Sequence, residues 1–341
     1  MANKAAIIPA AKAPLEIHPV DVYQPGRREL LVKNEVIAFN PIEYKIAKLG
    51  FFPIQYPSIL GVSYGGTVQA VGADVTGFKV GDKVAVAKAF GASDNKYGVY
   101  QQYVITPEDA ASKISPSIDV TIPASLVGNL KTVVGLFSGI AGLDRPTLDT
   151  APPSQKKRVL IYGGSSSLGS LSVQYVAQAG YQVITTSSPQ HDDFVSKLGA
   201  TQVINHRQEE SSLIDELSAA GPYDIFVDCI SLPKTIAVNA KVLSRQGGGK
   251  LYTVVPPLGP DNLPSGVNRE FASWGAVLSD EKNAHLLRWA IDVYLPEGVA
   301  LGKIIPLPIE KIPGGLSGVE TALDRLQKGV SGLKLVVDPW E

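Results

Sequence analysis

The chain has 341 residues, 45% hydrophobic and 18% charged, which is enough apolar material for a large core and calls for two domains. With 31 Lys plus Arg against 32 Asp plus Glu, it carries no bulk field that would draw it to nucleic acid or to an anionic membrane surface. Its one cysteine, Cys229, excludes an intrachain disulfide and fits a reducing compartment.

From the N-terminus to about residue 120 the sequence is rich in Pro and Gly. Short β-patterned runs over 30–36, 66–71, 83–87 and 100–105 are separated by turn residues, the texture of an antiparallel, barrel-like domain. Residues 1–15 lack a long apolar core, and nowhere do 18 uncharged apolar residues run together. A cytoplasmic protein with no membrane partner is expected. From Ile122 the texture changes to alternating strands and helices, which predicts a doubly wound parallel sheet. The polar stretch 150–157 reads as a surface loop leading into its first strand.

Val159 to Tyr162 reads as a buried strand, and Leu168, Leu171, Tyr175, Val176 and Ala179 recur at helical spacing until Gly180 stops the helix. A second strand over 182–186, a helix ending near 197–200 and a third strand over 202–205 complete the βαβαβ rhythm of a mononucleotide-binding half. Further strands are expected over 224–230 and 250–255. After Trp289 the chain turns Pro- and Gly-rich again, then gives an amphipathic helix carrying Val319, Leu323 and Leu326 and a final strand over 334–337. This tail is read as returning to complete the first domain, so the expected division is 1–121 plus 285–341, and 122–284.

Between the strand at 159–162 and its helix lie Gly163, Gly164, Ser165, Ser166, Ser167, Leu168 and Gly169. The backbone must turn sharply there, and its free N–H groups and the positive helix end face any phosphate bound at the turn. Matched to G-x-G-x-x-G, the outer glycines are Gly164 and Gly169, while Ser166 holds the middle place. The match is degenerate, and a ligand-free βα turn is the plain alternative. At the end of the second strand an NAD enzyme places Asp or Glu on the ribose 2′-hydroxyl, whereas this chain has Thr185-Thr-Ser-Ser-Pro189. Uncharged hydroxyls at Ser187 and Ser188 admit a 2′-phosphate, so NADPH is the expected cofactor, with His191, or His206 and Arg207, as the basic partner.

Several motifs, in order, resemble the medium-chain dehydrogenase/reductase superfamily. They are Glu29-Leu-Leu-Val-Lys33, Asn40-Pro-Ile-Glu43, Tyr56-Pro-Ser-Ile-Leu-Gly61, Gly66-Thr-Val-Gln-Ala-Val-Gly72 and Phe78-Lys-Val-Gly-Asp-Lys-Val84. The turn 163–169, Val183-Ile-Thr-Thr-Ser-Ser-Pro189, Leu198-Gly-Ala200 and Gly329-Val-Ser-Gly-Leu-Lys334 resemble its zinc-lacking fungal branch, related to quinone reductases and including trans-acting enoyl reductases. The resemblance implies a GroES-like domain beside a Rossmann domain. It also implies that Thr132 faces the nicotinamide, and that Ile230, Ser231, Val254 and Val255 contact the cofactor at carboxyl ends of parallel strands. Ordinary packing is the plain alternative for these last residues. Branch members commonly carry Lys and Asn where this chain has Gln190 and His191.

The metal is not expected. A structural zinc needs four closely spaced thiolates, and a catalytic one needs Cys, His and a carboxylate around an open position. One cysteine supplies neither set, the histidines His18, His191, His206 and His285 are scattered, and the family's ligand places hold Pro41-Ile42 and Gly61-Val62. Without a Lewis acid, alcohol oxidation is disfavoured and reduction of an activated double bond stays open. By resemblance Lys45 lines the substrate cleft, where it serves as a hydrogen-bond donor or proton source, with Tyr44 and Tyr64 as other donors. The plain alternative for Lys45 is a solvated helix lysine. Mitochondrial enoyl reductases place a tyrosine near where this chain has Phe51 and Phe52.

The expectation is therefore a zinc-independent, NADPH-dependent reductase of an enoyl thioester or enone. Quinone reduction and non-catalytic NADPH binding are the alternatives. Pro-rich segments 50–57 and 255–264 point to a small, partly apolar substrate. The resemblance allows a polyketide synthase as partner, leaves monomer and homodimer open, and puts the last strand of the cofactor sheet near 274–278.

Overall fold

Alternation builds the first sheet. In β3 (Glu29–Ala38) Leu30, Val32 and Ile37 are fully buried, and the strand pairs antiparallel with β4 (Ser63–Val71). β5 (Lys83–Ala87) and β7 (Ala111–Ile114) extend the sheet on the β4 side, and β6 (Tyr103–Pro107) pairs with β3. Ahead of it, β1 (Asn3–Ile7) and β2 (Glu16–Val20) form a two-stranded sheet. Helix α1 (Pro41–Leu49) follows β3, and α2 (Thr121–Val134) follows β7. This is the computed structural model of the chain, and it describes residues 2–148, 152–257, 259 and 262–341. Parts of the loop at 150–157 and of the Pro-rich segment at 255–264 lie outside the described residues.

The second sheet is built from β8 (Arg158–Tyr162), α3 (Ser167–Gln178), β9 (Gln182–Ser187), α4 (Asp192–Lys197), β10 (Gln202–Asn205), α5 (Glu210–Ala219), β11 (Ile225–Asp228), α6 (Pro233–Arg245), β12 (Gly249–Thr253) and β13 (Val267–Phe271). Its six strands are all parallel, in the order β10-β9-β8-β11-β12-β13. The chain runs one way from β8 and then returns to its other side at β11, so the carboxyl ends of β8 and β11 meet at the point where strand order reverses. Ligands bind at that point in such sheets.

The last strand corrects the expectation at 274–278. That segment is a 3₁₀ helix, Trp274–Ser279, held by the buried Trp274 indole donating to the Thr253 carbonyl at 2.8 Å. β13 escapes a pattern reading because Asn268, Arg269 and Glu270 make it polar, as suits a strand at a sheet edge.

The tail forms α7 (Ala284–Trp289), α8 (Leu295–Ala300), β14 (Ile309–Lys311), α9 (Gly318–Lys328) and β15 (Lys334–Val337). β15 joins β3 antiparallel and carries β14 in parallel. α9 buries Val319, Ala322, Leu323 and Leu326, one stripe at helical spacing, against the core of Leu30, Val32, Ile37, Leu335 and Val337. The chain thus forms two compact units, Met1–Gly128 with Arg288–Glu341, and Asn129–Leu287, the first change falling inside α2. Among the described residues no helix is long and apolar enough to cross a membrane.

Candidate functional site

The turn after β8 is shaped by side chains that glycine lacks. Gly163 has φ +92°, and a Cβ there would meet the Ile230 side chain at 2.6 Å. A Cβ on Gly164 would collide with the Thr185 hydroxyl, and one on Gly169 with the Gly163 carbonyl. The close approach of α3 to the turn therefore requires Gly169. Thr186 braces the turn, its hydroxyl and carbonyl accepting the Gly163 and Gly164 amides at 2.9 Å each. Ser166, the residue that breaks the glycine pattern, caps α3 by accepting the Gly169 amide at 3.0 Å. The amides of Ser165 and Leu168 have no acceptor among the described residues, so the first turn of α3 presents N–H donors and a positive dipole end. Ser167 is tied by its hydroxyl to Asn129 at 2.7 Å.

At the end of β9, Thr185 and Thr186 are spent on the fold, the Thr185 hydroxyl donating to the Ile161 carbonyl at 2.6 Å. Ser187 and Ser188 are buried, and the Ser188 hydroxyl meets His206 Nε2 at 2.9 Å. His206 stands edge-on to Tyr162, and its pKa is lowered by burial and by the nearby cations Arg207 and Lys234. Ser188, His206, Arg207 and Lys234 therefore gather in one basic corner. His191 lies against Gln190 at 3.1 Å on the neighbouring turn. Asp192, opening α4, has its Oδ1 enclosed and without a hydrogen-bond partner among the described residues.

The end of β11 is organised by one buried carboxylate. Asp228 accepts the amides of Ile230 at 2.9 Å and Ser231 at 2.7 Å and the Thr235 hydroxyl at 2.6 Å. Burial raises its pKa, and these donors oppose the shift. They hold Ser231 at φ +55°, unusual for a residue with a side chain. The Ser231 hydroxyl donates to the Asp228 carbonyl at 2.7 Å and accepts the Val254 amide at 2.9 Å, which links this turn to the one after β12. The Val255 carbonyl accepts Arg269 at 2.7 Å. Gly163, Ile230, Ser231 and Val254 are thus brought together. Thr132 lies apart on α2, beside Gly275.

In the other unit, Tyr44 and Lys45 lie on α1. Both are half-buried, and burial raises the Tyr44 pKa and lowers that of Lys45. The Lys45 ammonium sits 6.0 Å from the Phe51 ring centroid. Tyr64 is fully buried in β4 with its pKa raised by burial, which removes it as a donor to a ligand.

Sequence reasoning passed over the polar cluster beneath these two residues. Glu43, fully buried, accepts the Asn40 amide and, at 2.8 Å, the Val62 amide. Asn40 in turn accepts Lys334 Nζ at 2.8 Å and donates to the Ser63 hydroxyl at 3.1 Å. Burial pushes Glu43 up to about 7, opposed by its amide donors and Lys334, and pushes Lys334 down to about 8, opposed by Glu43. A lysine interrupting the apolar run of β15 and an acid three residues after the Asn40 cap were the available signals.

Comparison with known proteins agrees with this architecture. Residues 26–116 match the alcohol dehydrogenase GroES-like domain family, and residues 167–265 match the zinc-binding dehydrogenase family. The chain is 33% identical to the trans-enoyl reductase himH of Aspergillus japonicus, over 98% of this chain and 97% of that protein. It is also 33% identical to the dehydrogenase azaJ of Aspergillus niger, over 98% of each. Among solved structures, a quinone oxidoreductase of Pseudomonas syringae superposes with TM-score 0.74 at 23% identity, over 99% of this chain and 100% of that one. An alcohol dehydrogenase superfamily protein of Novosphingobium aromaticivorans superposes with TM-score 0.76 at 21% identity, over 98% and 99%. Both likenesses concern the fold.

The zinc that the second family's description implies does not fit the residues present. Both carboxylate oxygens of Glu43 are engaged by backbone amides, and its neighbour in the cluster is an ammonium group. Among the described residues no three of His, Cys, Asp and Glu are grouped to hold a metal ion. A dinucleotide does suit the turn after β8, where the amides of Ser165 and Leu168 have no acceptor among the described residues and the missing Cβ atoms of Gly163, Gly164 and Gly169 let strand, turn and helix close together.

Proposed function

The chain belongs to the medium-chain dehydrogenase/reductase superfamily, alongside the fungal trans-enoyl reductases and dehydrogenases, and from that premise we propose that it is an NADPH-dependent reductase of activated double bonds. The observation that carries this reading is the 33% identity to a trans-enoyl reductase over 98% of the chain, combined with a donor set that does not suit zinc. The substrate class is an α,β-unsaturated carbonyl compound or enoyl thioester. When bound, the reduced nicotinamide supplies a hydride.

The chain's own residues bind and orient. The turn 163–169 and the first turn of α3 hold the pyrophosphate through amides and dipole. Ser188, His206 and Arg207 hold the 2′-phosphate, which favours NADPH over NADH. Ile230, Ser231, Val254 and Val255 form the wall beside the cofactor, and the Ser231 hydroxyl keeps two of its turns in register. Thr132 faces the nicotinamide, and Tyr44 and Lys45 present polar hydrogens to the substrate. A cytoplasmic setting and a carrier-bound substrate are consistent with this chemistry.

The test is oxidation of NADPH and of NADH by chelator-treated protein against a panel of enoyl thioesters, enones and quinones. Turnover of enoyl thioesters or enones with NADPH, unaffected by chelator, is the expected result. Turnover of quinones alone would replace the reading with quinone reduction. Tight NADPH binding with no turnover of any acceptor would leave a nucleotide-binding protein.

A further inference from the structure

The corner where β9 and β10 end gathers a histidine and two cations, and no carboxylate is bonded to any of them among the described residues. His206 is the member whose place is fixed. Its amide donates to the Ser187 carbonyl at 3.1 Å, its Nε2 meets the Ser188 hydroxyl at 2.9 Å, and its ring stands edge-on to Tyr162 with centroids 6.4 Å apart. These contacts leave Nδ1 without a hydrogen-bond partner among the described residues, and that nitrogen is not enclosed, since the ring is only half-buried.

The charges that act on the ring are those of Arg207, the next residue, and Lys234, in the first turn of α6. Both are exposed. The acids on the neighbouring elements are committed elsewhere. Glu210 bonds Lys241 at 2.6 Å, although Lys234 lies in its field, and Asp228 holds the turn after β11. Asp192 and Asp193 open α4, behind His191, which lies against Gln190. Burial, Asp228 and Glu210 push the Tyr162 phenol up to about 12, so it keeps its proton. Burial and two positive charges therefore oppose a third on His206, and its pKa falls below the ordinary 6.5. A phosphate monoester beside it would reverse that balance, because it brings up to two negative charges and several acceptor oxygens. In the protonated ring both nitrogens donate, so Nε2 can serve the Ser188 oxygen while Nδ1 serves the phosphate.

We propose that His206 couples recognition of the cofactor's 2′-phosphate to uptake of one proton, so that the discrimination of NADPH from NADH is set by pH through this single ring. The proposal rests on the NADPH reading above and concerns only the adenosine end of the cofactor, on residues that all lie within the unit Asn129–Leu287. The proton comes from solvent and returns to it when the cofactor leaves. Since the bound value of the ring lies above the free one, the added affinity is fully present below the free value and is lost as pH rises through the bound one. The second ionisation of the phosphate, near pH 6, acts in the opposite direction, because the dianion forms as pH rises.

The experiment titrates the full chain by calorimetry with adenosine 2′,5′-bisphosphate and with adenosine 5′-monophosphate from pH 6.5 to 8.5. The wild type is expected to lose about five- to tenfold of its affinity for the bisphosphate across that range, with the monophosphate steady within about twofold. Repeating the titration at pH 7 in buffers of different ionisation enthalpy counts the protons, and uptake of about half a proton is expected. His206→Gln, shown by circular dichroism to be folded, keeps a polar neutral group beside Ser188 and is expected to lose the decline. The proton count is made on the wild type and stands whether or not that variant folds.

Bisphosphate affinity that is level or rises over this range, with no proton taken up, overturns the role of His206 and leaves the NADPH reading intact. A decline that persists in His206→Gln also overturns it, by assigning the proton to another group. A bisphosphate bound no more tightly than the monophosphate at any pH overturns the NADPH reading itself, and this proposal with it.

Discussion

At the turn after β8 the groups that would meet a charged ligand are backbone amides, and the residues that arrange them lie close in sequence: Ser166 caps Gly169, three positions on. At the start of α1 the charge is held by side chains, and the contact that closes the cluster, Lys334 to Asn40, spans 294 positions. The first arrangement depends on what is missing, the Cβ atoms of Gly163, Gly164 and Gly169. The second depends on what is present, a carboxylate and an ammonium group taken out of water together. The two regions should therefore fail in different ways when altered: the turn by losing its ligand, the cluster by losing the fold.

The largest effect is expected at the cluster. Glu43→Ala removes the acceptor of two amides and leaves Lys334 buried without its counter-charge, so stability should fall by about 3–5 kcal/mol in denaturant unfolding. A loss below about 1 kcal/mol would show that the two regions are not different in kind. Gly169→Val is the counterpart at the turn. Its side chain meets the Gly163 carbonyl, and the Kd of NADPH by titration calorimetry should rise about 100-fold, near 2.7 kcal/mol, with the unit still folded. Retained affinity would dissociate the turn from cofactor binding.

A smaller effect sharpens the reading of the basic corner. Arg207→Glu reverses an exposed charge beside His206 and should weaken NADPH roughly tenfold while leaving NADH unchanged. Equal loss of both would dissociate Arg207 from the 2′-phosphate.

The ordinary Glu pKa is 4.5 and that of folded Glu43 is about 7, so across that window the folded chain keeps a proton that the unfolded chain has released. Stability is then greatest below the lower value and falls as pH rises through the higher one. Unfolding measured from pH 4.5 to 7.5 should show this decline in the wild type and a flatter profile in Glu43→Gln. An equal slope in both would assign the proton to another group.

The comparison also marks what could be read in advance. β8, the turn and α3 were legible because an apolar strand, small residues and a 3.6-residue stripe are consecutive, and Gly180 adds its own stop signal at φ +88°. Ser166 looked like a defect in the glycine pattern, and the structure shows a helix cap in its place. β13 was missed because an edge strand with Asn268, Arg269 and Glu270 carries no apolar alternation, while the resemblance put the last strand at 274–278.

By itself the sequence determined the alternation of strands and helices, the doubly wound parallel sheet, and the position of the glycine-rich turn after β8, because periodicity, turn chemistry and helix stops act over a few residues. Only the tertiary structure decided that Ser188 meets His206, that Ser231 ties β11 to β12, and that Glu43, Asn40 and Lys334 share one cluster. Those pairings are made by residues on different strands, and each is stable only because the sheets bring its partners together and remove the water that would otherwise separate them.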